Sequence, residues 1–505
     1  MKSFLKKNVI LLVVLLLVTV AFLHFGRAKA GFFIDEIHTY GLSNSHYAPY
    51  ISDAVGGSLR DVIITRQQLL DYATVDSGQV FDFASVYSNQ VNDVHPPLFY
   101  FLFNMVSSLV GQHFSKWTGL CLNYVVFMAS LIILYKLSLE LYEGNRGASV
   151  CAVALYGLST IGISTLVYIR MYMLLSFFTI LLAYYAIKLM REEKRKYCYL
   201  YGLTVFLGMF TQYYFVFYAF FLSAALCIHF IRCRNKDILW RLALSAFAGV
   251  ILLVVAFPAS LSHIFVGNGK VVGGTSVGEA ITNTGLYGER LYSFMHFVSY
   301  GLKAAILCAC LAIIVYRKLE YRNTILIIVL PAVLAWFVVA IISPVYEERY
   351  IYNLAPIFVL LAAWFVKDDM KFVPVAVAVS IACLFISKPN NLFSSHAEYN
   401  ELLRPYSSSP CVYLQDDHFE GLTYDFSQLL IFDEIYATDS PKKAGEYIDG
   451  SDNAVVFVDQ DAFWSSGYDA DVLLPQILES SDYDTYSQLY SNGFSGVYLI
   501  SKGAD

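Results

Sequence analysis

The 505 residues predict a polytopic α-helical membrane protein of about eleven transmembrane helices, with a small α/β domain outside the cytoplasm at its C-terminal end. Three observations predict it. The chain is 57% hydrophobic, with a mean hydropathy of +0.56, far more apolar than a soluble protein of this size. Apolar runs long enough to cross a bilayer recur from residue 8 to residue 387 and then stop. Charge divides at the same place. Residues 388–505 hold 5 of the 34 Lys and Arg but 20 of the 40 Asp and Glu, so this part is net −15 and the rest net +9.

The elements follow in order. MKSFLKK and the run VILLVVLLLVTVAFLHF have the layout of a secretory signal, with Ala28-Lys29-Ala30 as its cleavage-like site. The apolar core is long for a signal, so it reads as an uncleaved first transmembrane helix. Further apolar segments cover 117–139, 147–166, 171–190, 197–212, 214–231, 239–261, 297–316, 323–342, 350–366 and 372–387. Residues 97–111 are also apolar, but short for a span, and they follow His95-Pro96-Pro97.

Basic residues arbitrate, because cytoplasmic loops carry the excess of Lys and Arg. With eleven spans and a cytoplasmic N-terminus, MKSFLKK, YEGNR, REEKRK (191–196), RCRNK (232–236), RKLEYR (317–322) and KDDMK (367–371) all fall inside. A twelfth span at 97–111 would move REEKRK and RCRNK outside. Residues 97–111 are therefore expected to lie along the outer interface, or dip into it, without crossing.

This topology sets the domains. Residues 1–387 form the membrane domain, with 26–116 as its first outer loop, and 388–505 form an acidic extracytoplasmic domain of a plasma-membrane protein. In the latter, CVYLQ, AVVFVD and GVYLIS read as short strands of an α/β fold. The glycine-rich GNGKVVGGTSVG, within the outer loop 263–296, reads as a mobile surface loop. The acidic tail argues against nucleic acid and against docking on anionic lipid. Nine cysteines lie mostly in apolar runs, with no CxxC or Cys/His metal spacing, which excludes a disulfide scaffold and an obvious zinc site.

The unusual polar residues collect on the outer face. Asp35-Glu36 opens the first loop and His95-Pro96-Pro97 closes its soluble part. Tyr168-Ile-Arg170-Met-Tyr172, Thr211-Gln212-Tyr213-Tyr214 and Tyr346-Glu347-Glu348-Arg349-Tyr350 stand at helix ends. Each has a bland explanation. The acids suit a helix N-terminus, His95 ends a loop before two prolines, the arginines snorkel, and most of the 39 tyrosines form an aromatic belt. Their shared placement carries the weight, since ionisable residues at membrane depth are functional candidates.

An acidic pair after the first membrane helix, then VNDVHPPLFYFL, then YIRMYML, resembles the C-type (GT-C) glycosyltransferase superfamily over roughly residues 1–387. The likeness is to the branch of protein O-mannosyltransferases and the lipid A aminoarabinose transferase (glycosyltransferase family 39-like). Gln212 in TQYYF departs from the His common among relatives. The resemblance implies a GT-C-like fold, a polyprenyl-phosphate-linked sugar as donor, and inversion.

The chemistry suits these residues. A departing phosphate needs cations, and the guanidinium forks of Arg170 and Arg349 match its oxygens. The acceptor hydroxyl needs a base: Asp35 is the candidate, with Glu36 positioning or tuning it. His95, Tyr172, Gln212, Tyr213 and Glu348 are substrate-positioning candidates. Adjacent acids argue against a glycosidase, whose two carboxyls face each other about 5–10 Å apart. The acids are able to ligate a divalent cation, but no ligand cluster requires one. The acceptor is a lipid, a protein or a cell-surface glycan. A polytopic transporter is the rival reading; it predicts internal repeats and polar breaks near the membrane midplane. A membrane-anchored scaffold explains the tail but not the DE, HPP and RMY series.

Overall fold

The computed structural model describes residues 2–265, 322–342, 347–364, 372–416, 419–460 and 468–502. The expected span 297–316 and nearly all of the expected loop 263–296 lie outside these residues, as does Tyr346. The chain divides into two compact units. One joins Met1–Arg27, Val94–Phe99 and Gly119–Asn390; the other joins Ala28–Asp93, Tyr100–Thr118 and Asn391–Asp505.

The first unit is helical. Among the described residues, five helices are long and apolar enough to cross a membrane: Asn8–Ala28, Lys116–Leu141, Tyr172–Glu192, Phe215–Arg232 and Lys236–Ala256. Where one span was expected over 147–166, the chain forms Arg146–Gly157 and Thr160–Val167, bent by 53° at the break. Ser159 makes the bend. Its hydroxyl donates to Tyr156 O at 2.8 Å and accepts from Gly162 N–H at 2.9 Å, which caps the second helix. The expected span 350–366 is likewise divided, into a 3₁₀ turn Glu348–Leu354 and a helix Ala355–Trp364.

Helices in lipid gain little from apolar burial between them, so close backbone approach holds them together. Helices Arg195–Met209 and Lys236–Ala256 meet through small residues. A Cβ built on Gly249 would stand 2.5 Å from Gly202 O, and one on Gly202 would strike Ser245.

The two ends of this unit differ in chemistry. At one end Lys188 pairs with Glu140 at 3.0 Å, Arg195 with Asp237 at 3.2 Å, and Asn235 donates to Glu193 at 2.8 Å. This draws the basic segments near 142–146, 191–196 and 232–236 together. Tyr172 begins the helix that Glu192 ends, so about 30 Å of helix separates this ionic rim from the Tyr168–Tyr172 turn.

The second unit is built on a six-stranded sheet in the order β1-β3-β2-β4-β6-β5. The strands are β1 Val62–Thr65, β2 Cys411–Leu414, β3 Glu434–Thr438, β4 Asn453–Asp459, β5 Thr485–Ser491 and β6 Ser495–Ser501. Strands β3, β2 and β4 run parallel, while β1 and the β6-β5 pair are antiparallel additions at either side. Helices Pro441–Ile448 and Ala470–Glu479 bury Ala444, Ile448, Leu474 and Ile477 against Val412, Leu414, Val456 and Val458.

Strand β1 comes from the first loop. Its β-branched Val62-Ile-Ile-Thr65 pairs with Glu434–Ala437 in the tail. Arg66 reinforces the join, pairing with Asp433 at 2.9 Å and donating to Ile431 O at 2.6 Å. Gln415 donates to Leu59 O at 2.8 Å. Residues 28–93, which the sequence reading gave to the first outer loop of the membrane domain, thus group with 391–505 in the second unit. Composition divides the chain by solubility, whereas backbone pairing unites segments far apart in sequence.

Candidate active site

Asp35 and Glu36 occupy the first turn of helix Ile34–Asn44, where the macrodipole favours anions. They point to different places, as neighbours on a helix must. Glu36 turns inward. Its Oε2 accepts from Phe33 N–H at 2.8 Å, half of a capping box, because Phe33 has no side-chain acceptor to return the bond. The same oxygen lies 2.9 Å from Lys29 Nζ, and both side chains are fully buried. Lys29 also donates to Asn391 O at 2.7 Å, while Lys116 donates to Lys29 O. Burial pulls the Lys29 ammonium below its usual range, and the Glu36 charge and hydrogen bond work against that pull. Asp35 is half-buried, and its carbonyl accepts from Thr39 Oγ1 at 3.0 Å.

The helix behind them is set by close packing. A Cβ on Gly41 would collide with the Tyr72 ring, so glycine lets helix Arg66–Ala73 lie against helix Ile34–Asn44. Tyr72 OH reaches Pro49 O at 3.2 Å.

The cationic candidates lie in the membrane unit. Helix Thr160–Val167 ends at Tyr168, and the carbonyls of Leu166 and Tyr168 accept from Asn123 Nδ2 at 3.2 and 2.7 Å. That bond satisfies a helix end at membrane depth and fixes the turn that presents Arg170. Arg170 is buried, with Nη2 3.4 Å from His95 Nε2. Arg349 Nη1 donates to Tyr168 OH at 2.8 Å, and its guanidinium lies 5.6 Å from the centroid of the Tyr350 ring. Tyr168 stacks on Tyr172 at 5.8 Å, Tyr172 meets Tyr350 at 6.4 Å, and Tyr350 meets Tyr214 at 5.5 Å. Arg349 is thus held in an aromatic cluster, while Arg170, from the same turn as Tyr168 and Tyr172, meets His95.

The HPPL stretch is tied through its backbone to the end of helix Arg195–Met209, as Leu98 N–H donates to Phe210 O at 3.1 Å. Gln212 is buried, and its Oε1 accepts from Tyr214 N–H at 2.7 Å in the turn before helix Phe215–Arg232. Tyr213 points elsewhere, its hydroxyl 3.0 Å from His263 Nδ1. Glu348 turns to Asn390, whose Nδ2 donates to it at 3.4 Å. Asn390 N–H in turn donates to Ser164 Oγ at 3.0 Å. The structure therefore pairs Arg170 with His95, and Arg349 with Tyr168, which stacks on Tyr172.

Sequence reasoning missed the parts played by Lys29, Asn123, His263 and Asn390. Only Lys29 carried a signal: a cation seven residues before an acidic pair, past the end of an apolar helix. Among the described residues, no group of three or more His, Cys, Asp and Glu side chains is placed to hold a metal ion.

Part of the chain matches a known family, and its fold matches solved structures. Residues 94–259, which carry His95, Arg170, Tyr172 and Gln212, match the family "Dolichyl-phosphate-mannose-protein mannosyltransferase". No curated protein sequence matches the chain. The crystal structure of ArnT from Cupriavidus metallidurans bound to undecaprenyl phosphate is similar over 96% of this chain and 97% of its own, at 11% identity and a TM-score of 0.50. The apo state of the same protein aligns over 89% and 95%, at 10% identity and a TM-score of 0.44. The arabinofuranosyltransferase AftD from Mycobacteria aligns over 97% of this chain but only 40% of its own, at 13% identity and a TM-score of 0.43. This polytopic membrane protein thus resembles a mannosyltransferase family over about a third of its length and shares the fold of ArnT over nearly all of it.

Proposed function

We propose that this protein transfers a sugar, with inversion, from a polyprenyl-phosphate-linked donor to a hydroxyl acceptor at the outer face of the membrane. The observation that carries the reading is the Arg170–His95 and Arg349–Tyr168 arrangement in the unit that holds the membrane helices. Similarity to an ArnT structure bound to undecaprenyl phosphate supports the donor class.

In this reading the sugar–phosphate bond breaks as Arg170 and Arg349 receive the phosphate charge. Two guanidiniums in a water-poor, tyrosine-walled site stabilise that charge far more than they would in water. Asp35 takes the proton from the acceptor hydroxyl as it attacks the anomeric carbon from the opposite side. Glu36 holds the helix on which Asp35 sits, through its bonds to Lys29 and Phe33. His95 orients the Arg170 fork, the aromatic cluster shapes the donor's path, and no acid is needed for a leaving group that is already anionic.

The test is release of free polyprenyl phosphate from a panel of polyprenyl-phosphate sugars, in the presence of mixed hydroxyl acceptors. Wild type should release it, and Asp35→Asn should lose about 10²–10⁴ in rate, the worth of a placed base. Arg170→Lys should also lose activity, because an ammonium does not reproduce the fork. Equal release by wild type and Asp35→Asn would overturn the assignment of the base. No release from any donor by folded protein would overturn the donor class.

A further inference from the structure

Residues 29–33 lead into helix Ile34–Asn44, and they run against residues 391–396, where the chain re-enters the second unit. Ala30 N–H donates to Leu392 O at 2.8 Å, and Lys29 Nζ donates to Asn391 O at 2.7 Å. The Phe33 ring stacks on Phe393, with centroids 6.3 Å and planes 18° apart. A Cβ on Gly31 would stand 2.4 Å from His396 Nδ1, so glycine lets the two segments meet there. The buried Lys29 ammonium lies 5.4 Å from the centroid of the Phe393 ring and 5.6 Å from that of Phe32. Two rings, the Glu36 carboxylate and the Asn391 carbonyl thus surround one cation.

The tail segment takes this shape through two left-handed residues, Asn391 at φ 65° and Phe393 at φ 49°. Asparagine visits that region readily, whereas a bulky phenylalanine is an outlier there. Such a residue persists only where its surroundings over-determine it, and outliers of this kind cluster at functional sites. The surroundings here are firm. His396 N–H donates to Phe393 O at 3.0 Å. Gln428 Nε2 lies 3.2 Å from His396 Nδ1 and donates to Asn400 Oδ1 at 3.1 Å, and both His396 and Gln428 are buried. Helix Ser395–Leu403 is thereby pinned to the tail, and the segment before it is held from behind.

We infer that residues 391–393 form a clasp that sets the first turn of helix Ile34–Asn44 and so aims Asp35. Asn391 and Phe393 are then positioning residues for the transfer proposed above, a reading on which this inference rests. The link runs through Glu36. It shares the first turn with Asp35, and Lys29 ties it to Asn391 and to the Phe393 ring. Holding Glu36 fixes the rotation of that turn, and with it the direction in which the neighbouring side chain leaves the helix. A base displaced by about 1 Å loses about 10² in rate, so the clasp acts on the chemistry without touching substrate. The acidic tail is in this way part of the catalytic apparatus and not an appended module.

The test combines hydrogen exchange of the full purified chain, read by mass spectrometry, with release of polyprenyl phosphate. Asn391→Val puts a β-branched residue in the left-handed region. Phe393→Ala removes the ring from Lys29 and Phe33. Each should speed exchange of amides 36–40 by about 5- to 30-fold, the worth of left-handed strain or of the lost ring contacts, with strands β2 and β4 unchanged. Each should lower kcat by about 10- to 100-fold and leave the donor KM within about twofold, a split expected when only the base is misplaced. Asn391→Gly, which accepts the same φ and keeps the carbonyl, should retain slow exchange and most of the rate. Unchanged exchange at 36–40 in both damaging variants would overturn the clasp. Faster exchange with an unchanged kcat would overturn its positioning role. Equal damage from Asn391→Gly and Asn391→Val would overturn the part given to the left-handed backbone. Absence of release by wild type would fall on the proposed reaction, while exchange would still decide the clasp.

Discussion

Lys29→Met removes the counter-charge of Glu36 while leaving its bond from Phe33 N–H in place. The pair is 2.9 Å apart with both side chains fully buried. Breaking such a pair from one side costs about 3–5 kcal/mol, because the surviving charge stays buried. The unit that holds it has about 200 residues, for which 1 kcal/mol moves the unfolding midpoint by about 2–4 °C. Lys29→Met should therefore lower the midpoint by about 6–20 °C in differential scanning fluorimetry of the purified protein. Adding Glu36→Gln, which keeps an acceptor for Phe33 N–H, should recover most of that loss.

The pH dependence supplies a second check with a definite sign. In Lys29→Met, burial without a counter-charge raises the folded pKa of Glu36 above its unfolded value. A raised acid is most favourable to folding below the unfolded pKa, and that favour is lost as pH rises through the folded pKa. The gap from wild type should thus narrow as pH is taken from 8 to 5. A gap of less than about 3 °C at neutral pH, or one that widens on acidification, would refute the reasoning from the buried pair.

Other consequences are equally specific. Tyr168→Phe deletes the 2.8 Å bond from Arg349; a bond to a charged group is worth about 1.5–3 kcal/mol, so donor affinity in a release assay should fall about 10- to 150-fold with the fold intact. Gly41→Ala pushes the new methyl into the Tyr72 ring, and overpacking of about 1–3 kcal/mol should outweigh the gain in helix propensity, lowering the unfolding midpoint. Asp425 is fully buried with Tyr413 OH 3.0 Å from Oδ2, and its pKa is pushed up to about 6 by burial. Because that value is raised, the group favours the fold at low pH and costs about 3 kcal/mol as pH rises from 4 past 6; Asp425→Asn should flatten this stretch of a stability–pH curve.

Much of the membrane unit was legible because lipid imposes a length and a composition on anything that crosses it. The apolar runs near 8–25, 117–139, 171–190, 214–231 and 239–261 needed no partner to be recognised. Arg170 and His95 stood out for a related reason: a charge or an imidazole is costly near a bilayer and is kept only with a partner. Their pairing was not legible, since His95 and Arg170 are 75 residues apart and only the packing of helices brings them within 3.4 Å. The bend at Ser159 was hidden too, as one hydroxyl on a buried helix leaves no mark in hydropathy.

The sequence by itself determined that the chain is a multi-spanning membrane protein with an acidic C-terminal part, because hydropathy and charge are local and additive along the chain. It also marked the DE, HPPL and RMY stretches, because ionisable groups are conspicuous in apolar surroundings. Tertiary structure decided the rest. It turned Glu36 away from Asp35 and onto Lys29, and it gave Arg349 to Tyr168. It also took Val62–Thr65 out of the first loop and made it a strand beside Glu434–Ala437. These outcomes depend on hydrogen bonds and ion pairs between residues from 7 to more than 360 positions apart. Such bonds form only where the fold has already excluded water and fixed both partners, and no window along the sequence contains that information.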